Sequence, residues 1–83
     1  MDLQEIRKEI DAVDDKIARL LKERLILVDR VAEIKRETNA PVLNLQREEE
    51  IINRLTGGGN DDFIKEVFLN IFELSRKRQE LLL

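Results

Sequence analysis

Apolar residues recur along the first part of the chain at alternating steps of three and four: Leu3, Ile6, Ile10, Val13, Ile17, Leu20, Leu27, Val31 and Ile34. Only Arg24 interrupts the series, so nine of its ten positions are aliphatic. That spacing predicts one amphipathic helix from Leu3 to about Lys35. Asp2 followed by Glu5 predicts a capping box at its start. Asn39 and Pro41 predict its end, because asparagine takes the left-handed conformation after a helix and proline cannot continue one. At about 1.5 Å per residue, roughly 35 residues make a rod about 50 Å long. A compact monomer of this length has a radius of gyration of only about 12 Å. Its own chain cannot cover such a rod, so the pattern implies a second copy in a two-fold dimer.

Two shorter helices follow. The first is predicted from a cap at Asn44 to near Thr56, with Leu45, Ile52 and Leu55 on its apolar face and Ile51 alongside. Glu48 falls on that same face. Gly57-Gly58-Gly59-Asn60 predicts a break. With neither a lysine nor a preceding strand, these glycines read as a turn and not as a phosphate loop. The last helix is predicted from Asn60 or Asp61, with Asp61 and Asp62 suited to its positive N-terminal end. Its inner face is Ile64, Val67, Phe68, Ile71 and Phe72, continuing through Ser75, Gln79 and Leu82. The expected fold class is all-α, with one long, one short and one medium helix.

Composition narrows the class. At 83 residues, positions 1–83 read as a single domain. Charged residues are 40% of the chain and aromatics 4%, which suits a helical or coiled-coil-like protein. A net charge of −3 argues against a nucleic-acid surface. Without cysteine there is no disulfide framework or thiol nucleophile, consistent with a reducing cytoplasm. No apolar run approaches a membrane span, and no secretory leader is visible at the N-terminus.

The candidate chemistry lies in polar groups set into apolar faces. Arg24 occupies the seam, with Arg7 and Lys35 flanking it. Arg47 and Glu48 sit on the second helix, Ser75 and Gln79 on the third. A buried arginine costs several kcal/mol unless an anion meets it. Without histidine there is no Ser-His-Asp triad, no Glu-x-x-His metal motif and no evident base for Ser75. The remaining set suits a small polyanion and a reaction stabilised by fixed charge. Arg24 and Lys35 share a face about 16 Å apart, whereas Arg7 lies roughly 25 Å before Arg24. Arg7 could therefore reach that site only from the other chain of an antiparallel dimer. Each feature also has a plainer account. Arg24 can set dimer register, Arg7 and Lys35 can be surface cations, and Glu48 can pair with a neighbouring arginine. Ser75 tolerates burial, Gln79 can lie near a fraying end, and Arg47 alone carries no signal. The conjunction favours a site.

Read together, Ile6-Arg7-Lys8-Glu9-Ile10, Asp14, Leu21-Lys22-Glu23-Arg24, Lys35, Pro41 through Glu48 and Ser75 through Gln79 resemble the chorismate mutases of the all-helical class. The resemblance covers essentially all 83 residues. It implies an intertwined homodimer of three-helix subunits acting in the cytoplasm in aromatic amino-acid biosynthesis. The implied reaction is the pericyclic rearrangement of chorismate to prephenate, with no metal, cofactor or covalent intermediate. By the same resemblance, Arg24 and Arg7 of the partner subunit hold the two substrate carboxylates. Lys35 and Gln79 meet the ether oxygen, Glu48 and Asn44 the ring hydroxyl, and Arg47 and Ser75 complete the pocket. Position 44 departs from the family, which usually has Asp there, and the stretch from Thr56 to Asp61 is short and glycine-rich. Two other functions stay open: an isochorismate pyruvate lyase on the same fold, and a non-catalytic helical dimerisation module.

Overall fold

The structure, a computed structural model, describes residues 2–83. Its three helices are α1 (Leu3–Thr38), α2 (Leu45–Leu55) and α3 (Asp61–Leu82), with no strand among the described residues. The capping box forms as predicted: Glu5 N–H donates to Asp2 Oδ1 at 2.9 Å, and Asp2 N–H to Glu5 Oε2 at 3.3 Å. At the other end Asn39 is left-handed, with φ 55°, and its N–H and that of Ala40 both donate to the Lys35 carbonyl. Helix geometry therefore runs past the last apolar repeat to Thr38 and stops at Asn39, as the Asn39 and Pro41 signals predict. Asn44 caps α2 by accepting from Arg47 N–H at 3.0 Å. Asn60, with φ 53°, precedes α3 without a side-chain cap, and the Asp61 carboxylate reaches back to Gly57 N–H at 2.9 Å.

α3 lies along the C-terminal half of α1 and runs in the same sense, since Arg24 meets Ser75 and Asp29 meets Arg78. The core is small: Val28 and Ala32 of α1, Ile51 of α2, and Phe72 and Gln79 of α3. On α2 the inward face agrees with the sequence expectation at Ile51 and Glu48 and differs from it at Leu45. Ile51 is buried and Glu48 half-buried, while Leu45 stays 66% exposed. Within one chain α2 packs on α3, so its buried stripe is set by that contact and not by its most hydrophobic line.

The N-terminal half of α1 is exposed throughout. Ile6, Ile10, Val13, Ile17 and Leu20 are 41–57% exposed, although they form one continuous aliphatic seam. The molecule is 54 Å long with a radius of gyration of 15.9 Å, well beyond the roughly 12 Å of a compact chain this size. Among the described residues no helix is long and apolar enough to cross a membrane.

A bidentate pair pins α3 against α1: Arg78 Nε and Nη2 donate to the two Asp29 carboxylate oxygens at 2.8 and 2.9 Å. Hydrogen bonding from Arg78, aided by its charge, holds Asp29 below the usual carboxylate range, and Arg78 is raised in return. The unfolded chain, with an aspartate value of about 3.9, takes up the proton first as pH falls. The pair's contribution is thus complete above that value and is lost as pH drops through the lower native one. Asp29→Asn is expected to lower the urea midpoint at pH 7 and to lower it by less at pH 2.5. Equal losses at both pH values would refute this assignment.

Candidate active site

Between the C-terminal half of α1, α2 and the last turns of α3 lies a cavity of about 340 Å³. Arg24 and Lys35 reach it from α1, Asn44, Arg47 and Glu48 from the start of α2, and Ser75 and Gln79 from α3. Seven of the eight residues singled out from the sequence therefore meet in one place. The eighth, Arg7, lies far up α1 and is not among the residues lining it. Leu27, Val28, Val31, Val42, Ile51 and Phe72 supply the apolar wall.

Helical spacing explains the convergence. Ser75 and Gln79 are one turn apart and continue the line of Phe72, which is only 3% exposed. Burying Phe72 against α1 therefore turns both polar groups inward. Asn44 ends the α1–α2 connection as the cap of α2, and its geometry sets where Arg47 and Glu48 emerge.

Each polar group is held differently. Arg24 Nη1 donates to Ser75 Oγ at 2.6 Å, and its guanidinium lies 5.8 Å from the centre of the Phe72 ring. Ser75 gives its single proton to the Ile71 carbonyl at 2.7 Å, which leaves its lone pairs to orient Arg24. Its hydroxyl is an anchor and not a nucleophile. Burial, together with the nearby charge of Arg47, pushes the Arg24 guanidinium below its usual range. Among the described residues no carboxylate neutralises Arg24.

Lys35 Nζ donates to the Val42 carbonyl at 2.8 Å. An ammonium has three donors, so two remain available. Gln79 is buried to 7% exposure, and its Oε1 has no partner among the described residues. An unsatisfied buried amide costs about 1–3 kcal/mol, so this end of the cavity favours a polar partner. α3 continues to Leu82, and the Gln79 carbonyl accepts from Leu83 N–H.

One charged cavity residue escaped the sequence reading. Arg76 lines the site and is ion-paired with Glu48, so the neighbouring arginine foreseen for Glu48 comes from another helix. A signal existed: Phe72, Ser75, Arg76 and Gln79 stand at i, i+3, i+4 and i+7, one helical stripe. The cavity thus carries four cations, Arg24, Lys35, Arg47 and Arg76, against the one carboxylate of Glu48. In a chain of net charge −3, this concentration of positive charge selects an anion.

Comparison with known proteins agrees with this chemistry. The sequence profile described as "Chorismate mutase type II" matches residues 6–80. The chain is 45% identical over 53 residues to a chorismate mutase of Methanocaldococcus jannaschii, covering 64% of this chain and 54% of that protein. It is 46% identical over 54 residues to a bifunctional chorismate mutase/prephenate dehydratase of Aquifex aeolicus, covering 65% of this chain and 15% of that one. A solved structure, a conserved hypothetical protein from Pyrococcus furiosus, superposes with a TM-score of 0.80 at 38% identity over 93% of both chains. The chain spans at most 54% of the length of these two curated relatives.

Proposed function

The chain belongs to the chorismate mutase type II family, and we propose that it isomerises chorismate to prephenate in the cavity between its three helices. The observation that carries this reading is the unneutralised Arg24, half-buried beside Arg47 in the cavity it shares with Lys35 and Gln79. A dianionic substrate supplies the missing counter-charge. Arg24 binds one carboxylate, and Arg7 of the partner subunit binds the other. The two free Lys35 donors and the Gln79 carboxamide meet the ether oxygen as its bond to carbon breaks and charge develops there. Glu48 and Asn44 take the ring hydroxyl, and Arg47 closes the rim.

The dimer is part of the proposal. Its support is the uncovered aliphatic seam of α1 and the 54 Å length of a chain whose own helices cover one end of the rod. Antiparallel pairing through that seam brings Arg7 of one chain toward the cavity of the other.

The required magnitude is within reach of these groups. A million-fold acceleration needs about 8 kcal/mol. One preorganised donor at a developing oxyanion is worth about 3–4 kcal/mol. Two such donors at the ether oxygen, with arginines selecting the reactive conformer, reach that range.

Incubating the purified protein with chorismate, and separately with isochorismate, tests the reading. Prephenate formed from chorismate is the expected result. Pyruvate release from isochorismate without prephenate formation would assign the lyase reaction instead, and inertness toward both would leave a dimerisation module. Because Gln79 is an amide, its contact needs no protonation. Turnover should therefore show no fall between about pH 6 and 8 that vanishes in Gln79→Ala.

A further inference from the structure

Glu48 is the single carboxylate of the cavity, and it stands among four cations. Arg47 precedes it on α2, and Arg24 and Lys35 face it from α1. Any of these could capture a flexible glutamate, and a captured cation is lost to the substrate. The structure instead pairs Glu48 Oε2 with Arg76 Nη1, across from α2 to α3. The two side chains are 18% and 28% exposed, whereas the surface pair Arg47–Glu50 is 57% and 58% exposed. The cavity pair is therefore far less screened. Glu48 Oε1 has no hydrogen-bond partner among the described residues. Arg76 is also fixed in register, one residue after the Arg24 anchor Ser75 and three before Gln79.

We propose that Arg76 is a positioning residue for the reaction. It clamps one oxygen of Glu48, leaving the other to accept from the substrate's ring hydroxyl and keeping the carboxylate off Arg24, Lys35 and Arg47. The need is greater here because the residue sharing the hydroxyl, Asn44, is neutral, and its Oδ1 is already used to cap α2. Glu48 is then the one charged acceptor on that wall. This inference rests on the mutase reading above.

The test is a cycle of Arg76→Met, Glu48→Gln and the double variant, with Arg76→Lys as the conservative control. All are assayed for kcat and KM on chorismate beside thermal midpoint and oligomeric mass. Arg76→Met is expected to lower kcat/KM by about 10- to 100-fold, the scale of a misplaced catalytic contact. Both constants should move, because a released Glu48 also quenches substrate-binding cations. Arg76→Lys should recover most of the loss. The double variant should be no worse than Glu48→Gln alone, because Arg76 acts through that carboxylate.

Losses that multiply in the double variant would overturn the proposal. So would an Arg76→Met protein with wild-type constants per folded dimer, even if its thermal midpoint fell. Should Arg76→Met not fold, the comparison of Glu48→Gln, Arg76→Lys and the double variant decides the matter in the same way. Failure of the wild-type protein to consume chorismate would instead remove the mutase reading itself, and this inference with it.

Discussion

Arg7→Ala and Lys35→Ala, each nearly inactive alone, are expected to recover about a quarter of wild-type turnover when mixed in equal amounts and allowed to exchange subunits. The reasoning is geometric. Lys35 lines the cavity and Arg7 does not. Seventeen residues of helix separate Arg7 from Arg24, about 25 Å along an axis that a helix cannot fold back upon. If Arg7 serves the site at all, it does so from the other chain. In a heterodimer of the two variants, one site receives Lys35 from the first chain and Arg7 from the second, and is whole. The other site lacks both. Random exchange makes about half of the dimers mixed, each with one working site of two, hence the quarter. Mass measurement on one isotopically labelled variant checks the exchange. Demonstrated exchange without recovered turnover would refute the shared site.

The second large effect concerns Arg24, where function and stability should move in opposite directions. In the free protein its guanidinium is partly desolvated and sits near the like charge of Arg47, and a serine hydroxyl is its hydrogen-bond partner. Replacement by leucine removes that desolvation and extends the aliphatic seam through its one gap. Arg24→Leu is expected to raise the stability of the dimer by about 0.5–2 kcal/mol, as relief of an unpaired part-buried charge does. It should lower kcat/KM by at least about a hundredfold, since a carboxylate then enters a site that no longer meets its charge. Urea unfolding and steady-state kinetics on one preparation read both. Increased stability with unchanged turnover would support the dimerisation module and remove the enzyme reading. Loss of both together would mean that Arg24 works mainly as a structural anchor through Ser75.

How far the site was legible depended on how local its rule was. Arg24 stood out because a helical period of apolar residues makes one cation conspicuous. Ser75 and Gln79 stood out for the same reason on α3. Arg76 did not, although it shares their stripe, because a charged residue beside a run of charges reads as solvent-facing until Glu48 arrives from another helix. The inward face of α2 was read correctly at Glu48 and Ile51 and misjudged at Leu45, for a related reason. Ile51 and Glu48 turn inward and Leu45 outward because α3 covers one stripe of so short a helix. The Asp29–Arg78 clamp joins residues 49 apart, and no local pattern announces it.

What the sequence determined by itself was every feature carried by neighbours on one helix. These were the three helices, the capping box at Asp2 and Glu5, the left-handed stop at Asn39, the uncovered seam of α1 and the polar interruptions within it. Such features depend on backbone hydrogen bonding and on side-chain periods of three and four, which a short window contains. Only the tertiary structure decided which interruptions face one another. It set Ser75 as the anchor of Arg24, gave Lys35 the Val42 carbonyl, left Gln79 Oε1 without a partner and gave Glu48 to Arg76. These pairings follow from how α3 lies along α1, and that docking is set by the summed burial of Val28, Ala32 and Phe72. Burial of that kind is non-directional and long-range in sequence, so the identity of each polar partner appears only once the helices are in place.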